Sequence, residues 1–189
     1  MKRLVDILCC LLLLPLLVVV SLVLLVTNPT WNTGPLFFIQ DRMGQGCKKF
    51  RAIKFRSMTA ATGAARGALD PLETDRITPL GNFLRKSRID ELPQILNVLF
   101  GDMSLIGPRP DFYEHAQEYI KTIPGYRARH AVKPGISGFA QTEVGYADCL
   151  DSVSAKVKAD LFYIRNRHLL VEFWIFWRTL VTVFGRHGA

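Results

Sequence analysis

Cysteine is scarce and unpatterned. Cys9 and Cys10 lie inside an apolar run, while Cys47 and Cys149 stand alone with no Cys-x-x-Cys partner. That spacing argues against a disulfide framework or a thiolate zinc site and points to a reducing compartment. The histidines, at 115, 130, 168 and 187, show no ligand spacing and read as surface or packing residues. A P-loop, a Gly-x-Gly-x-x-Gly turn after a strand and a Ser-His-Asp elbow are all absent. Arg42-Met43-Gly44-Gln45-Gly46 holds two glycines but reads as a hairpin turn. No Gly-x-y period, sustained heptad or solenoid repeat occurs, which removes collagen, coiled coils and repeat arrays. Negative charge is also short: 16 Asp and Glu against 24 Lys and Arg leave the 189 residues at +8. Such a surface suits anions, whether phospholipid headgroups, nucleotides or nucleic acid. With 49% apolar residues the chain is not disordered, and its length is that of one domain.

The apolar residues are concentrated at the start. From Leu4 to Val26 only Asp6, Cys9, Cys10, Pro15 and Ser21 interrupt Leu, Val and Ile. This run exceeds the apolar core of a signal peptide, roughly 7 to 15 residues, and ends in Thr27-Asn28-Pro29 rather than a small-x-small cleavage site. As a helix it reaches roughly 34 Å, enough for a hydrocarbon core of about 30 Å. Length favours a span, and prolines are tolerated in spanning helices. Charge argues otherwise: residues 1–27 carry +1, so a span anchored by Lys2 and Arg3 would export a domain of +7. Pro15 offers the alternative, because it lacks the N–H that would bond the carbonyl of Leu11 and bends the helix there. A bent segment enters one leaflet and returns to the same face.

Thr27 to Pro35 reads as a linker with Trp31 as an interfacial anchor, dividing a membrane segment, 1–27, from a folded domain, 28–189. Leu36–Gln40 and Phe50–Met58 read as strands joined by a turn, and Thr59–Pro71 as a loop. Helices are expected from Thr78-Pro79 to about Ser87, from near Asp90 to Gly101, over Phe112–Thr122 and over Ser152–Arg165. Lys133-Pro134-Gly135 and Gly138 mark an irregular loop. Leu169–Phe184 is apolar, reaches only about 24 Å as a helix, and places Phe173, Trp177, Leu180 and Phe184 on one face, to pack on the core or lie in the interface plane. The expected class is α+β, mostly helical with a small β-hairpin.

Ser87-Arg88-Ile89-Asp90-Glu91-Leu92-Pro93-Gln94 sets two carboxylates at an expected helix start. Asp and Glu there stabilise a helix by capping and through its dipole, and the same terminus is a ready phosphate site. Both readings stand on the residues alone. Arg88 lies within this block, and Lys54, Arg56, Arg85 and Arg109 flank it in sequence. Arg109 differs from a solvated cation because it sits in Gly107-Pro108-Arg109-Pro110, whose rigid backbone presents a guanidinium for bidentate phosphate binding at little entropy cost.

Several blocks follow one another along the chain: Lys2-Arg3 and Asp6; Gly34-Pro35-Leu36-Phe37-Phe38-Ile39-Gln40-Asp41-Arg42 with Gly44, Gly46 and Phe50; Lys54-Phe55-Arg56-Ser57-Met58; Asp75-Arg76-Ile77-Thr78-Pro79-Leu80-Gly81; Asp90-Glu91-Leu92-Pro93-Gln94; Gly101 to Pro110; and Lys133-Pro134-Gly135-Ile136-Ser137-Gly138. In this order they resemble the bacterial sugar transferases, small monotopic polyprenyl-phosphate phosphoglycosyl transferases. The resemblance covers nearly the whole chain. It implies transfer of a sugar 1-phosphate from a UDP-sugar to undecaprenyl phosphate, with UMP released, Mg²⁺ required, and downstream glycosyltransferases using the product. It also implies a re-entrant, Pro-kinked helix hairpin and interfacial amphipathic helices, holding the domain on the cytoplasmic face of the bacterial inner membrane. Nucleic acid is not an expected partner. Departures lie at Leu14 before the proline, in the loop from Thr59 to Leu69, and at Thr142–Cys149.

Neighbouring residues on a helix point about 100° apart, so the two carboxylates are expected to do different work. Asp90 is expected to attack the β-phosphorus and Glu91 to hold Mg²⁺, in agreement with the resemblance. Arg109, then Lys54, are the expected phosphate ligands, with Arg56, Arg85 and Arg88 nearby, and family likeness adds Asp160. A membrane-bound nucleotide-sugar hydrolase and a non-catalytic basic anchor are the rival readings.

Overall fold

The computed structural model of the chain describes residues 2–32, 34–60, 67, 73–144 and 150–184. Most of the loop expected over 59–71, the segment 145–149 with Cys149, and His187 lie outside the described residues. The elements in order are α1 (Lys2–Trp31), β1 (Phe37–Met43), β2 (Lys49–Phe55), α2 (Pro79–Lys86), α3 (Gln94–Phe100), β3 (Ser104–Ile106), α4 (Tyr113–Thr122), β4 (Gly135–Ser137), α5 (Phe139–Glu143), α6 (Leu150–Asn166) and α7 (Leu169–Phe184). The chain is mostly helical, with β1 and β2 forming the expected antiparallel hairpin in which Phe38 faces Lys54 and Arg42 faces Phe50. A short parallel pair, β3 with β4, was not foreseen. Two three-residue strands carry too little period to be seen in the sequence.

α1 is one helix through both Pro15 and Pro29, so the expected linker from Thr27 is helical as far as Trp31. Side chains hold this last turn: Thr27 Oγ1 donates to the Val23 carbonyl at 3.0 Å and Thr30 Oγ1 to that of Thr27 at 2.9 Å. Asn28 and Asn32 then tie it to the domain through the carbonyls of Gly34 (3.0 Å) and Arg56 (2.6 Å). Cys10, Leu17 and Leu24 recur every seven residues, two helical turns, and form the stripe that packs on Phe55, Leu84, Ile95, Val98 and Met103. The rest of the helix stays bare, with Leu12 80% and Val26 78% exposed. Among the described helices it alone is long and apolar enough to cross a membrane.

The polar residues at the start of α1 are also occupied. Arg3 donates to the carbonyls of Val98 (2.5 Å) and Leu99 (3.0 Å), capping the C-terminal end of α3, where a cation is favoured. Asp6 is buried and accepts from Ser104 Oγ at 2.8 Å and the Leu105 N–H at 3.3 Å, and Lys2 pairs with Glu172 of α7 at 2.7 Å. α7 buries Ile175 but turns Phe173 and Trp177 outward, so of the two placements expected for that face the aromatics take the exposed one. A second core, of Met43, Ala116, Tyr119, Ile123, Tyr126, Val153 and Val157, joins the end of β1 to α4 and α6.

Candidate active site

The helix expected from Asp90 begins only at Gln94. Residues Ile89–Glu91 instead form a separate 3-10 turn, and neither carboxylate caps α3. Thr78 Oγ1 accepts from Gly81 N at 2.9 Å to start α2, and Arg88, left-handed at φ 58°, ends the chain's run out of it. A non-glycine residue held there costs on the order of 1–3 kcal/mol, a strain typical of functional turns. Gly81 must lack a side chain, because a Cβ would lie 1.9 Å from the Ser57 carbonyl oxygen. Asn97 of α3 closes the outer edge of β2, accepting from Ile53 N (3.0 Å) and donating to the Arg51 carbonyl (2.7 Å). These contacts bring the Ile89–Glu91 turn beside Lys54.

Glu91 is the charge centre. Its carboxylate accepts from Lys54 Nζ at 2.7 Å and from both terminal nitrogens of Arg109, one at 3.1 Å, with Arg88 3.8 Å away. Burial works against this carboxylate, but Arg109 and Lys54 outweigh it and hold its pKa well below the usual range. Burial lowers the Lys54 pKa, with Glu91 opposing. Asp90 is different. It is buried, its Oδ1 has no hydrogen-bond partner among the described residues, and desolvation raises its pKa, with Lys54 opposing and Glu91 adding to the rise.

Arg109 is presented by a loop whose four successive carbonyls from Pro108 to Asp111 are all bound. Pro108 O accepts from Gly135 N (3.0 Å), Arg109 O from Arg129 Nη2 (2.8 Å), Pro110 O from Arg42 Nη1 (2.8 Å) and Asp111 O from Met43 N (3.1 Å). Arg42 also lies over the Phe112 ring, 4.1 Å from its centroid. The loop crosses the Lys133–Gly138 segment at van der Waals limits: a Cβ on Gly135 would stand 2.1 Å from Gly107 N, and one on Gly138 2.3 Å from Gly107 O. The two Gly-Pro-rich blocks of the sequence are the two sides of one crossing.

Lys54, Arg88, Asp90, Glu91 and Arg109 therefore gather at one place. Arg85 donates to Met58 Sδ at 3.7 Å, and its charge reaches Asp90. Arg56 turns away to the Pro35 carbonyl, 2.9 Å. Asp160 lies behind the site, buried against Arg129 (2.7 Å), which also binds Asp111. Lys156 (2.7 Å) and Tyr126 (2.7 Å) donate to the same Asp111. Arg129, Asp111, Lys156 and Tyr126 carry no motif and were not singled out; Arg42 appeared only within a block. Of the histidines, His130 is buried beside Tyr126, and burial lowers its pKa to about 4, leaving it neutral.

Mg²⁺ takes six oxygens and commonly keeps several from water or substrate phosphate. Among the described residues no group of three or more His, Cys, Asp or Glu could cage a metal. Glu91, whose partners Lys54 and Arg109 could turn to phosphate oxygens, fits an ion that arrives with a diphosphate.

Residues 1–186 match the family model described as bacterial sugar transferase. The chain is 42% identical over 189 residues to a UDP-N-acetylgalactosamine-undecaprenyl-phosphate N-acetylgalactosaminephosphotransferase of Aeromonas hydrophila, covering 100% of this chain and 44% of that protein. It is 40% identical over 185 residues to a UDP-glucose:undecaprenyl-phosphate glucose-1-phosphate transferase of Klebsiella pneumoniae, 97% of this chain and 38% of that one. A Rhizobium leguminosarum bv. phaseoli exopolysaccharide production protein PSS is 36% identical over 182 residues, 93% of this chain and 89% of its own length. The chain spans less than half the length of the first two.

Proposed function

Since the chain belongs to the bacterial sugar transferase family, we propose that it moves a sugar 1-phosphate from a UDP-sugar to undecaprenyl phosphate and releases UMP. Asp90 carries the reading: a buried carboxylate with one oxygen unpartnered among the described residues, next in sequence to a Glu91 that is fully engaged by cations. A capping Asp would spend that oxygen on a backbone N–H. An Asp90 oxygen forms a bond to the β-phosphorus, the bond from that phosphorus to the bridging oxygen breaks, and UMP leaves. A phosphate oxygen of the lipid then attacks the same phosphorus and frees the Asp90 carboxylate. The covalent aspartyl phosphosugar divides one hard displacement into two.

Lys54 and Arg109 neutralise the diphosphate so that an anion can approach it, and the bound loop carbonyls keep Arg109 in place beforehand. Glu91 holds Mg²⁺, which when bound supplies further neutralisation of phosphate charge. Asp160 acts from behind, through Arg129. The relatives' names point to a UDP-hexose or UDP-N-acetylhexosamine donor.

α1 supports a re-entrant, monotopic placement. Arg3 and Asp6 at one end and Asn28 and Asn32 at the other are bonded to the same body, whereas a span would part its ends by about 30 Å of hydrocarbon. The exposed aromatics of α7 and Trp31 suit the interface of the same leaflet. With the basic body retained, the catalytic face is cytoplasmic, at the bacterial inner membrane, where downstream glycosyltransferases would extend the lipid-linked product.

The test is UMP release with Mg²⁺, across a panel of UDP-sugars, with and without undecaprenyl phosphate. Lipid-dependent UMP from one donor, lost in Asp90→Asn, is expected. UMP release indifferent to lipid would make the protein a hydrolase, and none from folded protein would leave a basic anchor.

A further inference from the structure

Arg129 lies on a 3-10 segment, Tyr126–Ala131, that holds no residue of the gathered site, and it is only 1% exposed. Its guanidinium is divided among separate partners. Nε donates to Asp160 Oδ2 at 2.9 Å and Nη2 lies 2.7 Å from the same oxygen; Nη1 donates to Asp111 and, at 3.2 Å, to Tyr126 Oη. Nη2 also donates to the main-chain carbonyl of Arg109 at 2.8 Å. A buried cation needs an acid, and two acids satisfy Arg129 without that last bond. The bond to Arg109 is what connects this cluster to the site, because Arg109 has prolines on both sides and its carbonyl has no sheet or helix to join.

We propose that Arg129 is a positioning residue for the transfer proposed above: it fixes the Arg109 backbone so that the guanidinium stays aimed at Glu91 and, with substrate bound, at the diphosphate. Asp111 serves the same end twice. Its side chain holds Arg129 while its own carbonyl is held by Met43 N, so both sides of Pro110 are tied to the network. Lysine cannot replace arginine here, since one ammonium cannot reach Asp111, Asp160 and the Arg109 carbonyl with a planar fork's geometry.

The inference rests on the transferase reading for its kinetic part and on the fold alone for its structural part, so two readouts are needed. The first is phenylglyoxal labelling of Arg109, followed by peptide mass spectrometry. In the native protein Arg109 should be protected by Glu91, and Glu91→Gln should set the unprotected rate. Arg129→Lys, assayed well below its melting temperature, should label Arg109 at close to that unprotected rate. The second is kcat/KM for UMP release. Arg129→Lys should lower it on the order of a hundredfold, the scale of a misplaced binding group, and Arg129→Lys with Arg109→Ala should be no worse than Arg109→Ala alone. Unchanged protection of Arg109, or losses that multiply in the double variant, would overturn the proposal. If Arg129→Lys does not melt cooperatively, Asp160→Asn, which loosens the same guanidinium, takes its place under the same criteria. If the native enzyme releases no UMP from any donor, the transferase reading fails and the labelling rates alone decide the positioning role.

Discussion

Asp90 and Glu91 are adjacent carboxylates, and neutralising them one at a time should affect stability very differently. Glu91→Gln leaves Lys54 and Arg109 partly buried and facing an amide. Removing one partner of a buried ion pair costs about 3–5 kcal/mol, and the lower end applies because Lys54 and Arg109 keep 16% and 22% of their side chains in solvent. At about 2–4 °C per kcal/mol for a chain of this size, the melting temperature should fall by about 6–12 °C. Asp90→Asn removes a buried charge whose Oδ1 has no partner among the described residues, so it should leave the melting temperature unchanged or raise it by a few degrees. The pH dependence separates the two. Glu91 has a depressed folded pKa, so its contribution is complete above the ordinary Glu value of about 4.3 and disappears only at lower pH. Asp90 has a raised folded pKa, so its penalty develops as pH climbs from about 3.9 through that raised value and then stays constant. Melting in detergent at several pH values reads both. Equal destabilisation by the two variants, or a gain from Glu91→Gln, would refute the charge assignment.

kcat/KM for the UDP-sugar should fall on the acid side earlier than an ordinary carboxylate predicts, because protonated Asp90 cannot attack phosphorus; a kcat/KM profile flat down to about pH 4 would exclude it as nucleophile. Gly135→Ala sets a Cβ 2.1 Å from Gly107 N, which only a backbone shift relieves, so it should cost about 1–3 kcal/mol and most of the activity, measured by melting and UMP release. In a cysteine-free background, Lys2→Cys and Gln45→Cys should be labelled by an impermeant maleimide from the same side of sealed vesicles, and labelling from opposite sides would establish a span.

Much of the fold was legible in the chain. The apolar run, the hairpin, the capped start of α2 at Thr78-Pro79 and the amphipathic face of α7 all follow from residues close in sequence. The boundaries that failed did so for tertiary reasons. α1 outlasts its expected end at Thr27 because Asn28 and Asn32 find carbonyls at Gly34 and Arg56, and α3 starts after Asp90 because Arg88 turns left-handed and breaks the run. Arg109 stood out through its prolines. Arg129 did not, since nothing in Tyr126-Arg127-Ala128-Arg129 distinguishes the buried arginine from the exposed one.

The sequence by itself determined where apolar surface, turns and rigid loops would be, because periodicity, proline and glycine act on their immediate neighbours. Only the tertiary structure decided which charges meet. Glu91 acquires Lys54 from 37 residues away and Arg109 from 18, while one Asp90 oxygen has no partner among the described residues. That choice rests on distance and burial, which strengthen electrostatic differences between carboxylates that are chemically almost alike in an unfolded chain.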